Sequence, residues 1–154
     1  MWNFHFWTFF ALILIFTIII AIVHKIRFVD VQVMIMVAAL TMSLDMLFCK
    51  QFKLYSYVNL EHKGWYSFWA NLFILPSWGF VFIKFLPKTI KKITIYIIMY
   101  TVLSTLFELF VIKPLGIVIY PGWKIVPHSL IGYTLVLTWI YIYYRLLLKR
   151  YGPV

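Results

Sequence analysis

The chain has 154 residues, of which 65% are hydrophobic and only 12% are charged, and its formal net charge is +10. Soluble domains are about half apolar and a quarter charged. The composition therefore excludes a water-soluble domain and predicts a protein whose solvent is the lipid bilayer. The Lys and Arg residues lie between apolar runs, where positive charge sets membrane topology, so we do not expect nucleic-acid binding. The length suits one helical domain over residues 1–154.

Five apolar runs are long enough to cross a bilayer, because each crossing needs about 20 residues. They predict an all-α integral membrane bundle with helices over residues 4–23, 31–48, 65–86, 93–112 and 126–148. The second run is short and contains Asp45. A bundle of four helices, with the second run lying at the membrane interface, is therefore the alternative.

The positive charges are divided unequally between the two predicted faces of the membrane. Nine of the fourteen Lys and Arg residues lie on the side of the first loop, the third loop and the C-terminus. Loops rich in Lys and Arg stay on the cytoplasmic side. The sequence therefore predicts that the N-terminus is outside, the C-terminus is inside and the protein is a multi-pass protein of the cell membrane.

Polar residues inside the predicted helices lie at similar depth, in the outer half of the membrane. Asp45 lies near the outer end of the second helix, Asn71 near that of the third and Glu108 near that of the fourth, while His128 and Ser129 begin the fifth. Lipid cannot satisfy such groups. We therefore expect them to face the bundle interior and to form a polar pocket there.

The fourth helix carries the clearest polar stripe. Tyr100, Thr101, Ser104 and Glu108 share one helical face, because residues three or four apart lie above one another on a helix. A carboxylate at membrane depth costs about 2.5–3.5 kcal/mol, which either a partner or protonation must offset. Glu108 is either part of a functional site or a structural residue that hydrogen-bonds a neighbouring helix; the sequence leaves both open.

The segment after Glu108 is rich in turn-forming and aromatic residues. The letters KPLG end the fourth helix, and Pro121–Gly122 are the favoured central pair of a type II turn. Tyr120 and Trp123 flank that pair. These features predict a short, rigid, aromatic loop that folds back onto the membrane and covers the polar cluster.

Together these patterns predict one candidate ligand pocket. We expect it to be lined by Asp45, Asn71, Ser104, Glu108, Tyr120, Trp123, His128, Ser129 and Tyr133. A single Cys and four His without ligand spacing predict no metal site and no cofactor. The expected partners are the lipid bilayer and a membrane protein or a lipophilic small molecule.

One ordered set of residues resembles a known family. The set is Asn71, Leu86–Pro87, Glu108, Gly116, Tyr120, Gly122–Trp123, Ser129 and Tyr133. Over roughly residues 40–147 it is similar to a family of small multi-pass membrane proteins of spore-forming Firmicutes. The resemblance implies a five-helix bacterial membrane protein linked to the cell envelope or to sporulation, and it implies no catalytic residues. The chain departs from the family pattern after Trp123, where KIVPHS replaces a tryptophan-richer stretch.

Three functions fit these patterns. The first is a non-enzymatic membrane protein that associates with membrane partners or binds a lipophilic ligand in the outer-half pocket. The second is an intramembrane enzyme on a lipid or isoprenoid substrate, with Glu108 as the acid and Trp123 or Tyr133 stabilising a carbocation. The third is a component of a transport complex with Glu108 and Asp45 as relay groups, which no inverted repeat in the sequence supports. We expect the first.

Overall fold

The computed structural model describes residues 3–58 and 64–152, and within them five helices are long and apolar enough to cross a membrane. These helices are α1 (Phe4–His24), α2 (Phe28–Gln51), α3 (Trp65–Lys84), α4 (Ile90–Ile112) and α5 (Ile125–Tyr151). The predicted all-α membrane bundle is confirmed. At 24 residues, α2 is long enough to cross, so the structure favours five helices over the alternative of four.

The helix α2 begins three residues before the predicted start at residue 31, because Asp30 caps it. The Asp30 carboxylate accepts a hydrogen bond from the backbone N–H of Arg27 at 2.8 Å, which satisfies a donor that the first helical turn leaves free. At its other end, the helix continues as a wide π-helical turn over Met46–Gln51. The apolar pattern stops at Phe48, so hydropathy alone misses both additions.

Wide turns recur in three of the other helices, over Ala70–Ile74, Glu108–Ile112 and Ile125–Ser129. The turn in α3 precedes Pro76, which has no N–H to donate and whose ring crowds the carbonyl of the preceding turn. In α5 the backbone at Val126 is not helical (φ −107°, ψ 121°). The regular part of α5 therefore begins after that residue, next to the predicted start at residue 126.

Two loops join at one end of the bundle. Strands β1 (Ser56–Tyr57) and β2 (Val118–Ile119) pair in antiparallel fashion, with Tyr57 opposite Val118. The carbonyl oxygen of Leu54 accepts hydrogen bonds from two further backbone N–H groups, of Gly122 at 3.0 Å and Trp123 at 2.9 Å. We call the joined segments 54–58 and 116–123 the lid, and this end of the bundle the lid end.

The predicted type II turn at Pro121–Gly122 is wrong. That turn needs a positive φ at Gly122, and Gly122 does not have one. Glycine serves close packing instead, because a Cβ at this position would lie 3.1 Å from Cδ2 of Leu54. The positive φ of this loop, 63°, belongs to Gly116, which follows the end of α4.

The helix α3 lies at the centre of the bundle and is the most buried of the five. It packs against α1, α2 and α5. The largest core cluster joins four helices, α2, α3, α4 and α5. Its buried aliphatic and aromatic side chains include Val33, Val37, Phe82, Ile97 and Ile140. The outer surfaces of the helices carry large exposed apolar side chains, as expected of a surface in contact with lipid.

At the end opposite the lid, one buried carboxylate ties several elements together. Asp30 is fully buried and forms ion pairs with Arg27 at 3.1 Å and with Lys84 at 2.5 Å. Arg27 also donates to the Tyr144 hydroxyl, and Lys84 donates to the Lys25 carbonyl oxygen at 2.9 Å. The hydrogen bond to Asp30 raises the pKa of Arg27 above its usual range. This network joins α2, α3 and α5 at their basic ends.

Candidate functional site

A cavity of about 260 Å³ lies beneath the lid, and all five helices contribute to its lining. On α5 it is lined by every third or fourth residue from Ser129 to Ile140, which is one helical face. Eleven residues at 1.5 Å each make that face about 16 Å long. Gly132 lies on it, and a Cβ added there would meet no atom within 4 Å. The cavity is thus an elongated space that runs from the lid towards the membrane centre.

Seven of the nine predicted pocket residues line this cavity. They are Asn71, Ser104, Glu108, Tyr120, Trp123, Ser129 and Tyr133. Three of the wide turns contain one of these residues, Asn71, Glu108 or Ser129. A wide turn shifts the side chains that follow it around the helix axis, so these turns help set which polar groups face the cavity.

Asp45 lies behind the cavity wall rather than on it. Its Oδ2 accepts a hydrogen bond from the Ser67 hydroxyl, and the Asn71 side-chain amide donates to the Ser67 carbonyl oxygen at 2.9 Å. Asp45 also interacts with the Tyr55 hydroxyl of the lid. These contacts join α2, α3 and the lid, so the structure gives Asp45 a bridging position between elements.

His128 also lies off the cavity wall. Its Nδ1 accepts a hydrogen bond from the backbone N–H of Lys124 at 3.1 Å, and its ring centroid lies 5.1 Å from that of Trp123. Both contacts are local in the chain. The imidazole therefore holds the loop that leads into α5, and it does not reach Glu108.

Glu108 lies on the cavity wall and is 8% exposed. Its carboxylate interacts with the hydroxyls of Tyr120 and Tyr133, yet its Oε2 has no hydrogen-bond partner among residues 3–58 and 64–152. The ion pairs within the same ranges all involve Asp30, at the opposite end. Burial, and then the charge of Glu108, raises the pKa of Tyr120. Glu108 is thus a buried acid without a cationic partner in the part of the chain that the structure describes.

The rest of the predicted stripe on α4 bonds to neighbouring helices. Ser104 accepts a hydrogen bond from the Trp78 indole N–H at 3.0 Å, and the Tyr100 hydroxyl donates to the Trp78 carbonyl oxygen at 3.0 Å. Thr101 accepts from the Thr134 hydroxyl at 3.5 Å. A structural role in hydrogen bonds between helices therefore describes Tyr100, Thr101 and Ser104 better than it describes Glu108.

Aromatic rings close the lid end of the cavity. The Trp123 indole N–H donates to the Ser129 hydroxyl at 2.8 Å, which fixes the ring over the start of α5. The Trp123 ring centroid lies 5.8 Å from that of Tyr55, which in turn lies 6.1 Å from that of Tyr57. Burial is the main cause that raises the pKa of both tyrosines, so they stay neutral hydrogen-bond donors.

Tyr55 and Tyr57 are site residues that the sequence reasoning missed. They belong to the second loop, and pairing of β1 with β2 brings them over the cavity. The alternation Tyr55-Ser56-Tyr57-Val58 is a weak strand signal that could have drawn attention to them. Pairing with the fourth loop is a contact between residues about sixty positions apart, which no local pattern reveals.

The cavity therefore combines one buried acid, neutral tyrosine donors, aromatic rings and a long apolar face. No Lys or Arg of the described ranges lines it. Within the same ranges, no three His, Cys, Asp or Glu residues come together as a metal site would require. Such a lining suits a lipophilic molecule with a polar group at one end.

Comparison with known proteins gives no further assignment: no family model, no curated protein and no solved structure matches this chain.

Proposed function

We propose that this protein is a non-enzymatic membrane protein that binds a lipophilic molecule in the cavity beneath its lid. The observation that carries the proposal is the shape and lining of that cavity. It follows one face of α5 for about 16 Å and ends at Glu108 and the aromatic lid. The apolar part of the ligand would lie along α5, and its polar part would lie next to Glu108.

The interior position of the cavity favours a ligand over a protein partner. A protein partner within the membrane would cover lipid-facing side chains, whereas Glu108 and the aromatic rings face inward. A buried acid without a cationic partner is costly in a membrane, and a bound molecule with a complementary polar group offsets that cost. Association with a membrane protein remains an outcome that the experiment below distinguishes.

The test is to purify the protein from its native membrane and to identify what stays bound by mass spectrometry. Gly132→Phe places a ring in the open space of the cavity, where a Cβ meets nothing. Ile131→Phe is the matched control, because Ile131 is 56% exposed on the outer surface of the same helix. We expect wild type and Ile131→Phe to retain one lipophilic molecule per chain and Gly132→Phe to lose it.

Two results would overturn the proposal. One is that no lipophilic molecule stays with the wild-type protein, or that a membrane protein co-purifies in equal amount instead. The other is that all three proteins retain the same molecule to the same extent, which would place its binding outside the cavity. Correct folding of both variants is checked by their thermal unfolding in the same detergent.

A second candidate function is an intramembrane enzyme that uses Glu108 as an acid. The unpartnered Oε2 of Glu108 beside Tyr133 and beneath Trp123 favours it, because an acid in a dry aromatic pocket can protonate a substrate. Glu108→Gln separates the two candidates. An enzyme would accumulate substrate in this variant, so the molecule that co-purifies would differ in mass from that of wild type, whereas a binding protein would yield no new molecule.

We propose in addition that the protein lies in the cell membrane of a spore-forming bacterium, with the lid outside and the C-terminus inside. The resemblance described above supports the source and a link to sporulation, and the unequal distribution of Lys and Arg supports the orientation. The transport-complex alternative is weaker, because Asp45, its second relay group, lies behind the cavity wall. Comparing transcript levels in growing and sporulating cells tests the link to sporulation.

A further inference from the structure

Resting on the proposed function, we infer that the ligand of the cavity is an amphiphile with a cationic amine headgroup, which Glu108 and the surrounding aromatic rings bind.

The charge balance at Glu108 calls for a cation. The side chain is more than nine-tenths buried, lines the cavity and has an unpartnered Oε2. By contrast, Asp30 pairs with Arg27 and Lys84. Asp45 accepts a hydrogen bond from Ser67; its Oδ1 has no hydrogen-bond partner among the described residues, but Asp45 does not line the cavity. Glu108 is the buried acid on the cavity wall, and the described part of the chain supplies no cation to it.

Neutral donors do not replace that cation. Tyr120 and Tyr133 interact with the Glu108 carboxylate, and each contributes one O–H donor. They orient the carboxyl group and supply no positive charge. An ammonium group next to Oε2 would neutralise the charge of the carboxylate and add charge-assisted hydrogen bonds, or a close ion pair if the nitrogen is fully substituted.

The rings around Glu108 suit an ammonium group. Tyr57, Tyr120, Tyr133 and Trp123 all line the lid end of the cavity, and the Tyr57 hydroxyl lies in the electric field of Glu108. Aromatic faces attract cations through the negative charge of the ring, Trp most strongly, and cages of such rings with a carboxylate bind substituted ammonium groups. A neutral headgroup would gain neither the cation–π attraction nor an ion pair with Glu108.

The same lining disfavours other lipid headgroups. A phosphate or carboxylate headgroup needs Lys, Arg or several convergent N–H donors, and none of the described Lys and Arg residues lines the cavity. An anion next to Glu108 would also be repelled. A zwitterionic phosphocholine would place its phosphate near the same acid without a compensating cation, so a simple ammonium amphiphile fits best.

The inference is tested by equilibrium binding of three radiolabelled probes that share a dodecyl chain: dodecyltrimethylammonium, dodecylphosphocholine and dodecanol. The protein is reconstituted in phosphatidylcholine nanodiscs, and binding to empty nanodiscs is subtracted. We expect wild type to bind dodecyltrimethylammonium most tightly. Glu108→Gln should weaken that binding about thirtyfold, as expected for one partner of a buried charge pair, and should leave the affinity for dodecanol unchanged. Glu108→Asp should restore part of the loss.

Asp45→Asn is the matched control, because it removes a buried carboxylate at the same depth that does not line the cavity. It should change the affinity for dodecyltrimethylammonium less than about threefold, since Asp45 would not contact the bound probe and substitutions that share no contacts usually act independently. Trp123→Leu should weaken binding of the cation about tenfold through the lost ring and leave that of dodecanol within about threefold.

The outcomes distinguish a wrong headgroup from a wrong binding site. If Glu108→Gln binds dodecyltrimethylammonium like wild type, or if wild type prefers dodecylphosphocholine or dodecanol, the inference about the headgroup is wrong. The proposed function still stands in that case if Gly132→Phe abolishes binding of the preferred probe. If Gly132→Phe changes binding of none of the three probes, both the inference and the proposed function are wrong.

Discussion

Removal of the Asp30 carboxylate should cause one of the largest losses of stability available to a single substitution in this protein. Asp30 is fully buried, and Lys84, its partner at 2.5 Å, is 5% exposed. Taking away one partner of a buried pair costs about 3–5 kcal/mol, because the other charge is left uncompensated. The Arg27 side chain is 30% exposed, so its pair contributes only about 0.2–1 kcal/mol. We therefore expect Asp30→Asn to cost about 3–5 kcal/mol.

The assay is the free energy of unfolding in mixed micelles, measured by titration with sodium dodecyl sulfate. Lys88→Gln is the control, because Lys88 is exposed and forms no ion pair within the described residues. The double variant Asp30→Asn with Lys84→Met should recover most of the loss, since it leaves no unpaired buried charge. A buried ion pair between Asp30 and Lys84 is refuted if Asp30→Asn costs no more than Lys88→Gln, or if the double variant is less stable than Asp30→Asn alone.

Three further predictions concern packing, pH and orientation. Gly79→Ala should lower the free energy of unfolding by about 1–3 kcal/mol, because its Cβ would lie 3.0 Å from a neighbouring side chain. In the same assay Gly132→Ala should be neutral or stabilising, because its Cβ would meet no atom within 4 Å. The pKa of Tyr120 lies above its usual 10.0, so the folded state holds this proton more tightly than the unfolded state. The free energy of unfolding should therefore fall as pH rises above 10.0. Tyr120→Phe should reduce this dependence on pH. In a cysteine-free background, a membrane-impermeant maleimide should label Lys113→Cys in intact cells and Lys88→Cys only after permeabilisation; the reverse pattern would overturn the proposed orientation.

The features that the sequence could predict follow from the membrane itself. Hydropathy locates the five helices, because lipid demands about 20 apolar residues per crossing. The shared depth of Asn71, Glu108 and Ser129 predicts their convergence, because lipid cannot satisfy polar groups and drives them into the bundle. The structure brings these three residues to one cavity. Depth alone does not separate a residue on a cavity wall from one behind it. It therefore could not show that Asp45 and His128 lie off the cavity wall.

The features that the sequence could not predict depend on contacts between distant segments. Pairing of Tyr57 with Val118 joins two loops that are separate in sequence, and strands of two residues each give at most a weak period-two signal. Arg27 and Lys84 fit the pattern of cations that set topology, yet both pair with Asp30. The charge pattern of a loop shows which side of the membrane it occupies and does not show which cations have partners in the fold.

The most direct test of the central claim is to map where an apolar chain lies in the protein. An alkylamine with a diazirine at the end of its chain is bound, cross-linked by light and located by peptide mass spectrometry. Binding in the cavity predicts labels on the inner faces of α2 and α5, near Val37 and Ile140, and these labels should disappear in Gly132→Phe or with excess dodecyltrimethylammonium. Labels confined to outward residues such as Ile15 and Ile95, unchanged by Gly132→Phe, would contradict the claim that the cavity is a binding site.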